Sequence, residues 1–124
     1  MKVAALMGFV AATLVVASAL HLAGVVDDGS PPFAPNRAGI AEAVIAVVLA
    51  AGAVALVHGM PRAALGAVVF SIAGFGVGLS MTVRGGATGD IAYHATMLPL
   101  LLLALALLSR GAASRRGRAA RRTG

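Results

Sequence analysis

Cysteine and tryptophan are absent from this 124-residue chain, and it has one tyrosine, four phenylalanines and only four acidic side chains. Without a thiol there is no disulfide, no thiolate metal site and no cysteine nucleophile, and thiol usage says nothing of the redox compartment. Polar surface is scarce as well. Charged residues make up 11% of the chain and AVILMFWYC residues 60%, against about 45–50% apolar, glycine included, for an ordinary soluble domain. A water-soluble globule is excluded by that excess. The longest connection between apolar runs is 27–37, and 16 residues follow Leu108, so no separate soluble domain fits. No Ser-His-Asp arrangement, phosphate loop, acid pair or His-x-x-x-His spacing is visible, and the chain is not read as an enzyme.

What is present is apolar length. Residues 3–26, 38–57, 63–83 and 91–108 form runs of 24, 20, 21 and 18 residues that hold one formally charged side chain, Glu42. At about 1.5 Å rise per residue, a hydrocarbon core of roughly 30 Å takes about 20 residues, so each run is long enough for one crossing. The expected fold is all-α: an integral membrane four-helix bundle, up-down-up-down, with short loops. Its spans are placed at about 3–26, 38–58, 63–83 and 90–109, so 1–109 forms the bundle and 110–124 a disordered, arginine-rich cytoplasmic tail. Breakers mark the ends. Asp27-Asp28-Gly29-Ser30-Pro31-Pro32 closes the first span, and Asn36 is available as an N-cap for the second. His58-Gly59-Met60-Pro61-Arg62 makes a tight hairpin, Arg84-Gly85-Gly86-Ala87-Thr88-Gly89 a second turn, and Asp90 can cap the fourth helix. The first run has a rival reading, since Lys2, an apolar stretch and Ala17-Ser18-Ala19 fit a cleaved signal peptide. The stretch continues to Val26, longer than the roughly 7–15 residues of a signal core, which favours a span.

Charge sets the expected orientation. With a cytoplasmic N-terminus, Lys2, Arg62, Arg110, Arg115, Arg116, Arg118, Arg121 and Arg122 lie inside, and Arg37, Arg84 and all four acids belong to the outer half. Short basic segments are retained on the cytoplasmic side. Both termini are therefore placed in the cytoplasm of a multi-pass cell-membrane protein, and this also accounts for the net charge of +6 without nucleic acid as a partner.

Spans pack through close backbone approach and a few hydrogen bonds, because lipid is as apolar as leucine. Ser71, Gly74 and Gly78 fall on one face of the third helix, with Gly74-x-x-x-Gly78 at its tightest point and Gly76-x-x-x-Ser80 beside it. Such a face serves either a homo-oligomer or, as favoured here, a neighbouring helix of the same chain. Ala46, Ala50 and Ala53 in the second helix and Gly8 and Ala12 in the first are further small residues. Ser18, Ser71, Ser80 and Thr96 are read as interhelical donors. Pro99 removes one bond inside the fourth helix, and residues 100–103 read as lipid-facing leucines.

One polar constellation stands out. His21, Glu42, Tyr93, His94 and Asp90 come from three helices and fall near one level, about a turn from the outer helix ends. Ionisable groups in hydrocarbon are costly and turn inward to a partner, so Glu42 is expected to meet a histidine or Tyr93. Carboxylate beside imidazole suits proton exchange. Imidazole, carboxylate and thioether also make His21, Glu42, His94, Met81 and Met97 a conceivable metal set, and His21 with His94 a conceivable haem pair. No cofactor is favoured. In the tail, Arg110, Arg115, Arg116, Arg118, Arg121 and Arg122 are matched to anionic lipid headgroups.

Size and span number are similar to those of the small multidrug resistance transporters, whose essential glutamate lies in the first span. Here Glu42 opens the second, and the tryptophan and tyrosine of that family's binding surface are missing, so no family is assigned. Three functions remain: a non-enzymatic accessory or scaffold subunit of a larger membrane assembly, preferred at this stage; a proton-coupled small-molecule transporter or ion pathway using Glu42 with His21 and His94; and a metal- or haem-binding membrane protein.

Overall fold

The computed structural model describes residues 2–26 and 34–120, with side chains as far as Ser114. The described residues form four helices and no strand: α1 Lys2–Leu22, α2 Pro35–Val57, α3 Pro61–Gly85 and α4 Thr88–Ala120. Each helix contains a segment long and apolar enough to cross a membrane. They pack as a ring, α1 on α2, α2 on α3, α3 on α4 and α4 back on α1. The end of the ring farthest from both chain termini, where α1 and α3 finish and α2 and α4 begin, is called distal below.

The core lies along the seam of each helix. In α1 the buried positions are Met7, Val10, Ala11, Leu14, Ser18 and His21, spaced three or four apart. Leu49 of α2, Val68 and Phe75 of α3, and Leu101 and Ala104 of α4 close around them. Polar positions cluster at the distal end of that seam, with His21, Glu42, Asp90 and His94 all buried. The outer faces stay apolar and exposed, as at Val15, Val16, Val47, Val54, Leu102 and Leu103.

Helix boundaries differ from the sequence reading for identifiable reasons. α1 stops at Leu22 instead of reaching Val26, because Gly24 takes φ +69° and the Val25 N–H returns to the Leu20 carbonyl at 3.0 Å. That left-handed glycine is a helix stop. The same device ends α2, where Gly59 has φ +78° and the Met60 N–H bonds the Ala55 carbonyl at 2.9 Å. At the start of α2 the N-cap is Ala34 with Pro35 as first helical residue, so Asn36 is inside the helix and not its cap. Proline suits that position because its missing N–H has no partner there anyway. Glu42 consequently lies about two turns into α2, not one.

The second turn is shorter than expected. α3 runs through Gly85, only Gly86 and Ala87 intervene, and Asp90 is the third residue of α4 instead of its cap. The segment read as a disordered tail is helical as far as Ala120, consistent with the high helix propensity of alanine and arginine. Asp27, Asp28 and the breaker that follows, together with the side chains of Arg115, Arg116, Arg118, Arg121 and Arg122, lie outside the described residues. Leu101 is buried, so the leucine run is not wholly lipid-facing.

Small residues set the helix spacing from within the chain. A Cβ on Gly74 would meet the Ile45 side chain of α2, and one on Gly78 would meet His94 of α4. The Gly74-x-x-x-Gly78 face is therefore an intramolecular contact. Gly52 admits Ala67 of α3, and Gly39 admits Leu22 and the Ser18 carbonyl. Gly8 has nothing within 4 Å, and Ala12 and Ala50 are exposed, so these three are not contact points. Ser18 does join two helices, its hydroxyl donating to the Gly39 carbonyl at 2.7 Å. Ser71, Ser80 and Thr96 instead donate to carbonyls of their own helices, Ala67, Val77 and Ala92. A hydroxyl three or four residues beyond a carbonyl reaches it without crossing any interface.

Candidate functional site

His21, the penultimate residue of α1, is brought between two carboxylates. Its Nδ1 is 2.8 Å from Glu42 Oε2 on α2, and its Nε2 is 3.2 Å from Asp90 Oδ2 on α4. The side chains of His21 and Glu42 are 3% and 6% exposed and that of Asp90 12%. Three helices are thus tied at one point by one imidazole. Asp90 takes this position because α4 starts at Thr88, which places its side chain in the first turn and frees it to face α1.

The hydrogen bonds fix a proton count. Ionised carboxylates only accept, and a neutral imidazole offers one N–H. Both bonds therefore need two protons among the three groups, whether the ring is an imidazolium between two carboxylates or a neutral ring beside one carboxylic acid. In either arrangement the triad carries one net negative charge. Losing one of those protons breaks a bond and leaves two negative charges, and gaining one makes the triad neutral. The protons belong to the group of three and not to one residue.

His94 lies one turn further along α4. Its Nδ1–H donates to the Asp90 carbonyl at 2.8 Å, so backbone holds the proton on Nδ1, and in the neutral ring Nε2 is the acceptor. The Asp90 carboxylate is used by His21, so His94 takes the backbone carbonyl of the same residue. Phe75 packs on the His94 ring at a centroid distance of 5.3 Å, and Tyr93 at 5.6 Å. Tyr93 itself stands apart from the acids: its hydroxyl meets Thr13 Oγ1 at 3.2 Å, and Thr13 in turn donates to the Val10 carbonyl at 2.8 Å. Residue 93 is next to residue 94 and therefore about 100° around the helix, so only one of the two rings faces Glu42.

Two clefts reach the triad. One, of about 590 Å³, opens between α2 and α3; Phe70, Ala73 and Val77 are among its walls, and His21, Glu42, Asp90 and His94 line it. The other, of about 450 Å³, lies between α1 and α4 beside Phe9, Thr13 and Tyr93, and again touches His21 and Asp90. The His21–Asp90 bond stands between them.

Of the conceivable metal set, His21, Glu42, His94 and Met81 line one cleft, and Met97 is not among its lining residues. Among the described residues no group of three or more histidine, cysteine or acidic side chains is arranged to hold a metal ion. Both His21 nitrogens already face carboxylates, Met81 is exposed at 40%, and the Met97 sulfur lies 3.7 Å from Thr13 Oγ1. Thr13, and Gly78 in its role beside His94, were not legible as site residues; a threonine and a glycine in an apolar run carry no signal of what stands opposite. No family model matches the chain, and no curated protein or solved structure matches it.

Proposed function

We propose that this is a multi-pass membrane protein that exchanges a proton at the Glu42–His21–Asp90 triad, as the coupling step of a proton-linked small-molecule transporter or ion pathway. One observation carries this reading: a buried carboxylate–imidazole–carboxylate chain with one net negative charge lines an apolar cleft. A net charge in hydrocarbon is costly, so the site gains by binding either a proton or a cation. The two then compete for one place, and competition of that kind is the elementary requirement of exchange. The distal end faces outward in this reading, both termini are cytoplasmic, and the α4 extension carries its arginines to the anionic inner leaflet.

The test is an infrared titration of the purified protein in lipid nanodiscs. The wild type is expected to show a carboxyl C=O band that appears and disappears reversibly between pH 4 and pH 9, and in Glu42→Gln that band should be lost or moved to another pH, because the coupled group has lost one carboxyl. Identical spectra for the two proteins across that range would overturn the proposal.

An accessory-subunit reading draws on the exposed side of α3, which adjoins the cleft between α2 and α3 and shares Phe70 and Val77 with it. Gly66 and Gly76 of α3 have nothing within 4 Å, and they share one exposed side of the helix with Val69, Phe70, Val77 and Ser80. That reading requires co-purification with a partner in mild detergent, and a monodisperse protein extracted alone counts against it.

A further inference from the structure

His94 Nε2 has no hydrogen-bond partner among the described residues, although the residue is only 8% exposed. Among the described residues every fully enclosed side-chain nitrogen or oxygen has a partner, so this lone pair opens onto space, and the space His94 lines is the cleft between α2 and α3. Gly78 makes the opening. A Cβ at that position would stand 2.5 Å from Nε2 and cover it. The acceptor looks into a cleft whose floor also holds the triad, so a donor seated in that cleft meets it directly.

We infer that the α2–α3 cleft binds a protonated amine with a small apolar body, whose N–H donates to His94 Nε2 while its positive charge offsets the triad. This rests on the proton-exchange reading and adds the substrate class to it. Among the described residues, the titratable and charged groups facing the cleft are His21 of α1, Glu42 and Arg37 of α2, and Asp90 and His94 of α4, with none from α3. Arg37 is exposed at the rim, where solvent screens it, whereas the triad is buried and keeps its single negative charge. A monocation is therefore the complement. The free acceptor narrows the choice further, because an ammonium with an N–H satisfies it and a quaternary ammonium leaves it unpaired. The body of the ligand lies against Phe70, Ala73 and Val77, with the Phe75 ring deeper in, and aromatic faces attract a cation within about 6 Å.

The experiment uses full-length protein in nanodiscs and three probes of the same shape: phenethylamine, phenethyltrimethylammonium and 2-phenylethanol. Binding is measured by calorimetry at pH 7.5. Wild type is expected to bind the primary amine at least about tenfold more tightly than the quaternary ion, the scale of one hydrogen bond to a charged group, and the alcohol more weakly still. His94→Phe keeps a ring between Phe75 and Tyr93 but removes the acceptor, and should abolish the preference for the amine over the quaternary ion. Gly78→Ala, which leaves His94 in place and obstructs it, should do the same. Equal affinity for amine and quaternary ion in wild type, no binding of any probe, or an undiminished preference in both variants would overturn the inference. The infrared titration of Glu42 reads the underlying proton exchange without any ligand, so failure of that reading is seen separately.

Discussion

Removing the imidazole from between its two carboxylates is the most informative single change to the fold. In His21→Leu the two hydrogen bonds, at 2.8 and 3.2 Å, disappear, and Glu42 and Asp90, with side chains only 6% and 12% exposed, are left with no imidazole between them. Removing one partner of a buried ion pair typically costs about 3–5 kcal/mol, most of it the penalty of the uncompensated charge that remains. The same principle makes full neutralisation cheap. The triple variant His21→Leu, Glu42→Gln, Asp90→Asn has no charge left to compensate, and it should recover at least half of the loss. Reversible unfolding in mixed detergent micelles, followed by helical circular dichroism, measures both differences. The deficit of the single variant should also shrink at pH 4, where the stranded carboxyls take up protons, and grow as pH rises. A triple variant no more stable than His21→Leu, with both deficits independent of pH, would refute the electrostatic reasoning and leave lost packing as the cause.

Gly52→Ala places a Cβ on Ala67, whose own Cβ is fixed to the α3 backbone, while Gly74→Ala meets the flexible end of Ile45; the first should cost about 1–3 kcal/mol and the second well under that in the same unfolding assay. Tyr93→Phe removes a hydroxyl that, among the described residues, serves Thr13 alone, so it should cost about 1 kcal/mol and leave the Glu42 infrared titration unchanged. A change in that titration would place Tyr93 back among the proton-exchanging groups. A reporter fused behind Gly124 should be active only in the cytoplasm, and activity on the far side of the membrane would reverse the orientation.

Much of the architecture could be read from the sequence, because length and hydrophobicity alone decide what can span a bilayer. The meeting of His21 and Glu42 was also legible, since depth along two antiparallel helices places both near one level. Rotation about each helix axis was not. It decides that Tyr93 turns to Thr13 while His94 turns to the cleft, and hydropathy carries no such angle in a helix that is apolar on every side. Asp90 was ambiguous for another reason: an acid in the first turn serves equally as a cap or as a partner for a neighbouring helix, and only the start of α4 at Thr88 decides between them. The stop at Gly24 was available in the sequence, since a glycine near the end of a run is the usual site of a left-handed terminus. The apolar residues after it obscured the signal.

A triad with one net negative charge is neutralised by a proton or by a cation, never by both. That exclusion is tested most directly by counting protons released as phenethylamine binds to the protein in weakly buffered nanodiscs, with a soluble pH dye as readout. Below the pH at which the unliganded triad gives up its extra proton, one proton should leave per amine bound, and apparent affinity should weaken about tenfold for each unit that pH falls. Glu42→Gln should release none. Amine binding to wild type with no proton released at any pH between 4 and 9 would contradict it.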